Sequence, residues 1–72
     1  MDIEYIGSRL KLHRINRNMS IRELSSISKI AASTISQIET GKSSPNLLTL
    51  KAICDALDVP VFSLLMEEEK SK

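Results

Sequence analysis

The chain has 72 residues, 42% of them hydrophobic, a formal net charge of +1, one cysteine, and only Tyr5 and Phe62 as aromatics. That length makes a single domain with an aliphatic core, and a lone cysteine excludes an internal disulfide or a multi-cysteine metal site. No apolar run is long enough to span a bilayer, and the first residues lack the basic and apolar regions of a signal peptide, so the sequence reads as soluble and cytoplasmic.

Helical periodicity recurs along the chain and strand-like alternation does not. Ile3, Ile6, Leu10 and His13 form one stripe, which predicts a helix from Ile3 to about Arg17 with Asn18 as a left-handed stop. Ser20 followed by Glu23 is a capping box that opens a short helix through Leu24 and Ile27. After a break at residues 28–30 comes a helix from about Ala31 to Thr40, closed by Gly41. Asn46, after Pro45, caps the next, with Leu47, Leu50, Ile53, Cys54 and Leu57 facing inward. A last short helix runs from Pro60 or Val61 to Met66. The expected fold is all-α, with five helices joined by tight turns.

Charge is unevenly placed. Arg9, Lys11, Arg14, Arg17, Arg22, Lys29, Lys42 and Lys51 stand against only Glu23 and Glu39 between Tyr5 and Cys54, while the compensating acids lie at the ends, at Asp2, Glu4, Asp55, Asp58 and residues 67–69. A basic body suits a polyanionic partner, although the same placement also fits an ordinary solvated surface.

The third helix is unusual in its outer face. At about 100° per residue, Ala31, Thr34, Ile35 and Ile38 share one side and Ala32, Ser33, Ser36 and Gln37 the other. The first side is core. The second carries a methyl, two hydroxyls and a carboxamide but no charge, whereas solvated helix faces favour Lys and Glu, which are better helix formers than Ser. Such a face suits base edges: Gln pairs bidentately with adenine, Ser donates or accepts, and Ala meets a thymine methyl. Taken alone, the helix reads equally as a small polar face of no consequence.

Two short helices around a three-residue turn, apolar at Leu24, Ile30, Ile35 and Ile38, have helix-turn-helix spacing. The segments IGSRLKLHR, SIRELS, STISQIETGKSSPNLLTL and ALDVPVFSLL, in that order, resemble the Xre/lambda-repressor-like helix-turn-helix family over residues 6–65. The resemblance implies a compact five-helix lambda-repressor-like DNA-binding domain whose second motif helix enters the major groove. It implies base contacts from Ala32, Ser33, Ser36 and Gln37, and phosphate contacts from Ser20, Ile21, Arg22, Thr34, Thr40, Lys42 and Ser43. Arg14 and Glu39 match a structural ion pair that ties the first helix to the end of the reading helix. Removing Glu39 then leaves a buried, unpaired cation.

Some residues depart from the family pattern. Lys29 stands where Gly is usual at the motif turn, Ser25 where Ala is usual, and Ile21 at a position often held by a DNA-contacting Gln. Asn18 and Asp58 replace helix-ending Gly, and Ala31 replaces a Ser or Thr cap. His13 reads as a packing residue with no second ligand at metal spacing, and Cys54 as a small buried thiol. No nucleophile–base pair, phosphate loop or paired carboxylates appear, so the expectation is of no enzyme, cofactor or metal.

The expected division is a DNA-binding domain over residues 1–66 and a charged tail over 67–72. Val61, Phe62, Leu64, Leu65 and Met66, together with Leu48, exceed what so small a core hides. They either close the base of the domain or meet a second copy, as in homodimers that read palindromic half-sites. The stretch GKSSPNLLTLKAICDALDVPVFSLL resembles the subgroup in which this domain precedes a C-terminal sensor domain, often a cupin-type β-barrel; the chain reads as either a single-domain regulator or the DNA-binding part of such a protein. The functional expectation is double-stranded DNA binding by a transcriptional regulator, read as a repressor. The alternatives are an antitoxin or controller acting on its own operon, or an interaction module that has kept the fold and lost DNA binding.

Overall fold

A computed structural model describes residues 3–65, with side chains from Tyr5 to Leu64. Met66, the expected tail at 67–72, and the side chains of Ile3, Glu4 and Leu65 lie outside the described residues. Five helices follow one another: α1 Ile3–Asn16, α2 Ile21–Ser28, α3 Ala32–Glu39, α4 Leu47–Leu57 and α5 Phe62–Leu65. No helix among the described residues is long and apolar enough to cross a membrane.

Local chemistry explains where the helices start and stop. The Ser20 hydroxyl accepts from the Glu23 N–H at 3.0 Å and the Glu23 carboxylate accepts from the Ser20 N–H at 2.8 Å, so the capping box closes in both directions. Asn46 accepts from the Thr49 N–H at 2.8 Å and starts α4. Three helices end in the same way, with one left-handed residue and a crossed pair of hydrogen bonds back to the last turn. After α1, Asn18 (φ 56°) donates to the Ile15 carbonyl and Met19 to that of Arg14. After α3, Gly41 (φ 79°) donates to Ile38 and Lys42 to Gln37; after α4, Asp58 (φ 59°) donates to Asp55 and Val59 to Cys54. Lys29 (φ 66°) ends α2 through one bond, from its N–H to the Ser25 carbonyl at 2.8 Å. The left-handed stops expected at Asn18 and Asp58 are there, as is the left-handed Lys29.

The core is aliphatic. Ile6, Leu10, Leu24, Ile35, Ile38, Leu50, Ile53, Cys54, Leu57 and Leu64 are buried, and Met19, Ile21, Ile30, Ala56, Val59 and Val61 pack against them. α1 lies against α3 and α5, and α2 against α3 and α4, so α3 is clamped between the first two helices. Where α1 crosses the end of α3, Gly7 lets the backbones touch. A β-carbon at Gly7 would collide with the Ile38 carbonyl oxygen and press on Glu39 at 3.1 Å.

One inward assignment is corrected, at Leu47, and Ile27, which the sequence placed in α2 without a side, turns out to be exposed. Leu47 is 68% exposed: it is the first residue of α4, and at about 100° per residue it lies to one side of the stripe made by the buried Leu50, Ile53, Cys54 and Leu57. Ile27 is 56% exposed, because α2 buries Leu24 and Ser28 and Ile27 points well to one side of them. The α3 boundaries move inward by one residue at each end, leaving Ala31 as an exposed N-cap and Thr40 as the C-cap.

Candidate nucleic-acid interface

The interface is built from α2, the turn, α3 and the loop that follows. In the first turn of α2 backbone N–H groups have no intrahelical partner, and their partial positive charge suits an anion. Ser20 accepts through its oxygen, which leaves its hydroxyl hydrogen to donate outward. Arg22 is exposed in the same turn, where a cation opposes the helix dipole and costs a few tenths of a kcal/mol up to about 1 kcal/mol. Its placement there makes sense for an external anion. Ile21 is half-buried and packs on the core, so only its backbone N–H is left to meet an anion.

On α3, Ile35 and Ile38 are buried, Ser33 and Gln37 are exposed, and Ala32, Thr34 and Ser36 lie between. The four residues assigned to base reading therefore do share the outer side. Thr34 sits at its margin. The helix has no side-chain N-cap, since Ala31 offers none.

The loop after α3 is bolted to it. The Gln37 carbonyl accepts from the Lys42 N–H at 2.8 Å and the Ser43 N–H at 3.2 Å. The Thr40 hydroxyl donates to the Ser36 carbonyl at 3.0 Å and contacts that of Gln37 at 3.3 Å. A hydroxyl has one hydrogen, so in this geometry Thr40 works as a helix end rather than as a donor to phosphate. Lys42 is exposed and Ser43 half-buried, and both keep their side chains for an anion.

Arg14 and Glu39 hold the platform in place. Arg14 Nε donates to Glu39 Oε2 at 2.7 Å and Nη2 to Oε1 at 3.0 Å, while Nη1 reaches the Met19 carbonyl at 2.8 Å. Their side chains are only 11% and 4% exposed. The hydrogen bond to Glu39 raises the Arg14 pKa further above its ordinary value, against the opposing effect of burial. This bidentate pair fixes α1 to the end of α3.

Other cations have partners within the domain. Arg9 donates to the Ser63 carbonyl at 3.2 Å, Arg17 lies 3.8 Å from Asp58, and Lys51 pairs with Asp55 at 3.2 Å. Arg22, Lys29 and Lys42 are exposed and make no ion pair among the described residues. Lys29 was read from sequence as one cation of the basic body and as a turn residue, without a contact of its own. Its charge, three positions before Ala32, was the signal that it also flanks α3. Among the described residues no cluster of His, Cys, Asp or Glu could hold a metal. Cys54 is fully buried in α4, and desolvation, reinforced by Asp55, pushes its thiol up to about 11 from 9.0.

Comparison with known proteins places this geometry. The chain is 31% identical over 64 residues to the transcriptional regulator ClgR of Mycobacterium tuberculosis, covering 89% of this chain and 57% of that protein. It is 33% identical over 64 residues to the transcriptional repressor RghR of Bacillus subtilis, covering 88% of this chain and 47% of RghR. The chain thus spans about half the length of these relatives. The crystal structure of ClgR from Corynebacterium glutamicum superposes with a TM-score of 0.82 at 27% identity, over 88% of this chain and 82% of that one. The restriction-modification controller protein C.AhdI of Aeromonas hydrophila shares the fold, with a TM-score of 0.84 at 24% identity over 86% of this chain and 94% of its own. Residues 10–64, the whole span from mid-α1 into α5, match the helix-turn-helix family HTH_3, and the chain belongs to that family.

Proposed function

We propose that this chain is the sequence-specific, double-stranded-DNA-binding unit of a transcriptional regulator, and that the regulator is a repressor. The observation that carries the reading is the outer side of α3. It presents Ser33 and Gln37 to solvent with no charge between Ala32 and Gln37, clamped by the Arg14–Glu39 pair and flanked by Arg22, Lys29 and Lys42. The regulators ClgR and RghR among its relatives support it.

In this reading α3 enters the major groove with Ala32, Ser33, Ser36 and Gln37 towards base edges. Ser20, Arg22, Lys42, Ser43, the backbone N–H of Ile21 and the margin residue Thr34 meet phosphates, which position the domain without specifying sequence. Residues 1–66 form the DNA-binding domain, 67–72 are its charged tail, and a sensor domain is the kind of module to which such a unit is joined. The protein acts in the cytoplasm as a homodimer on a palindromic operator. Exposed Leu47, Leu48 and Phe62, at 68, 80 and 61%, supply apolar surface for the second copy, while Val61 and Leu64 close the base of the domain. Repression follows from occupancy, since a dimer covering a promoter excludes polymerase.

The test is selection from a random duplex pool at near-physiological salt, followed by binding at several salt concentrations. An enriched inverted repeat and a steep inverse dependence on salt are expected, because phosphate neutralisation releases counterions. An unselective pool with no salt dependence would overturn the reading in favour of a protein-interaction module.

A further inference from the structure

Resting on the DNA-binding reading, we infer that the half-site read by α3 is built on A·T pairs, with Gln37 as the residue that selects adenine. The argument is one of elimination at the major groove. Guanine is most often read by Arg or Lys, through its O6 and N7 acceptors, and cytosine by Asp or Glu, through its N4 donor. α3 has no Arg or Lys. Its one carboxylate, Glu39, is 4% exposed and has both oxygens engaged by Arg14, at 2.7 and 3.0 Å. It is thereby withdrawn from any base.

What the outer side offers instead matches the A·T edge. The exposed Gln37 carboxamide has the donor and acceptor needed for adenine N7 and N6, and Ala32 supplies a methyl for the C5-methyl of thymine. Ser33 and Ser36 accept either kind of pair and do not discriminate. The Gln37 backbone is also tied to the following loop, because its carbonyl takes the Lys42 and Ser43 N–H groups. A reader on a fixed backbone discriminates more sharply than one on a mobile loop. The neighbouring cations Arg22, Lys29 and Lys42 lie outside α3, in α2, the turn and the following loop, where the proposed reading gives them phosphates rather than base edges.

Base analogues and one isosteric variant test the inference on the operator obtained by selection. Replacing the adenines of the half-site one at a time with 7-deazaadenine removes the N7 acceptor alone. At one position this is expected to weaken the wild-type protein at least about fivefold and to leave Gln37→Ala unaffected. Gln37→Glu is expected to shift the preferred pair at that position from A·T to C·G, with a thermal melt confirming that both variants fold. If the Gln37-dependent position proves to be G·C, or if 7-deazaadenine weakens wild type and Gln37→Ala equally at every position, the A·T assignment is overturned and DNA binding stands. If no duplex is enriched at all, both fall together.

Discussion

Glu39 combines an unusual setting with an unambiguous partner. With its side chain 4% exposed and both oxygens on Arg14, Glu39→Ala leaves a guanidinium at the α1–α3 junction without its counter-charge. We expect a loss of about 3–5 kcal/mol, read by urea denaturation, and an unchanged midpoint would refute the structural role. Gly7→Ala sets two effects against each other. Helix propensity favours Ala by about 1 kcal/mol, but the added carbon meets backbone atoms of Ile38 and Glu39, which cannot rotate away. Overpacking costs about 1–3 kcal/mol, so a net loss is expected in the same assay. Cys54 gives a pH signature. Its folded pKa, about 11, is raised above the ordinary 9.0, so its stabilising contribution is complete below pH 9 and is lost as pH rises through about 11. A drop of up to about 2 kcal/mol over that window is expected in wild type and not in Cys54→Ala, which controls for other alkaline titrations. The Arg14–Glu39 pair was legible through family resemblance. Gly7 was not, because its role exists only once α3 lies across it, although an isolated glycine inside a helical pattern is itself a hint of close packing.

Helix ends were the most legible part of the architecture. Ser20, Asn46, Gly41, Asn18 and Asp58 act on their own chain within five residues, so a linear reading captures them. The failure at Leu47 has the opposite cause, since burial depends on what lies across from a side chain and periodicity supplies only direction. The turn between α2 and α3 carries a trade-off between stability and binding. Lys29 holds a left-handed conformation that glycine adopts freely, so Lys29→Gly is expected to stabilise the domain by about 1 kcal/mol. Where Lys29 neutralises a phosphate, the same change weakens duplex binding. Thermal melts and binding titrations on one preparation read the two effects separately, and a variant that gains stability with full affinity would remove Lys29 from the interface.

For the whole molecule, a net charge of +1 conceals a division of labour. Arg14, Arg17 and Lys51 pair with carboxylates within the domain, and in the proposed reading the exposed Arg22, Lys29 and Lys42 carry the long-range attraction to DNA. Removing one should therefore be plainly measurable. Lys42→Ala is expected to weaken specific and random duplexes alike and to flatten the log–log salt slope by about one per protomer. Sequence-selective loss with an unchanged slope would instead make Lys42 a base reader. The hydrogen bonds that join the loop to the Gln37 carbonyl have a further consequence. Because helix and loop are fastened through main-chain atoms, the proposed reading lets side chains at 32, 33, 36 and 37 be exchanged without altering how far the protein stands from the sugar-phosphate rails. On that reading the domain has the layout of a type-holder, in which the letters can be recast while the distance to the page stays set, and new operators lie a few surface substitutions away.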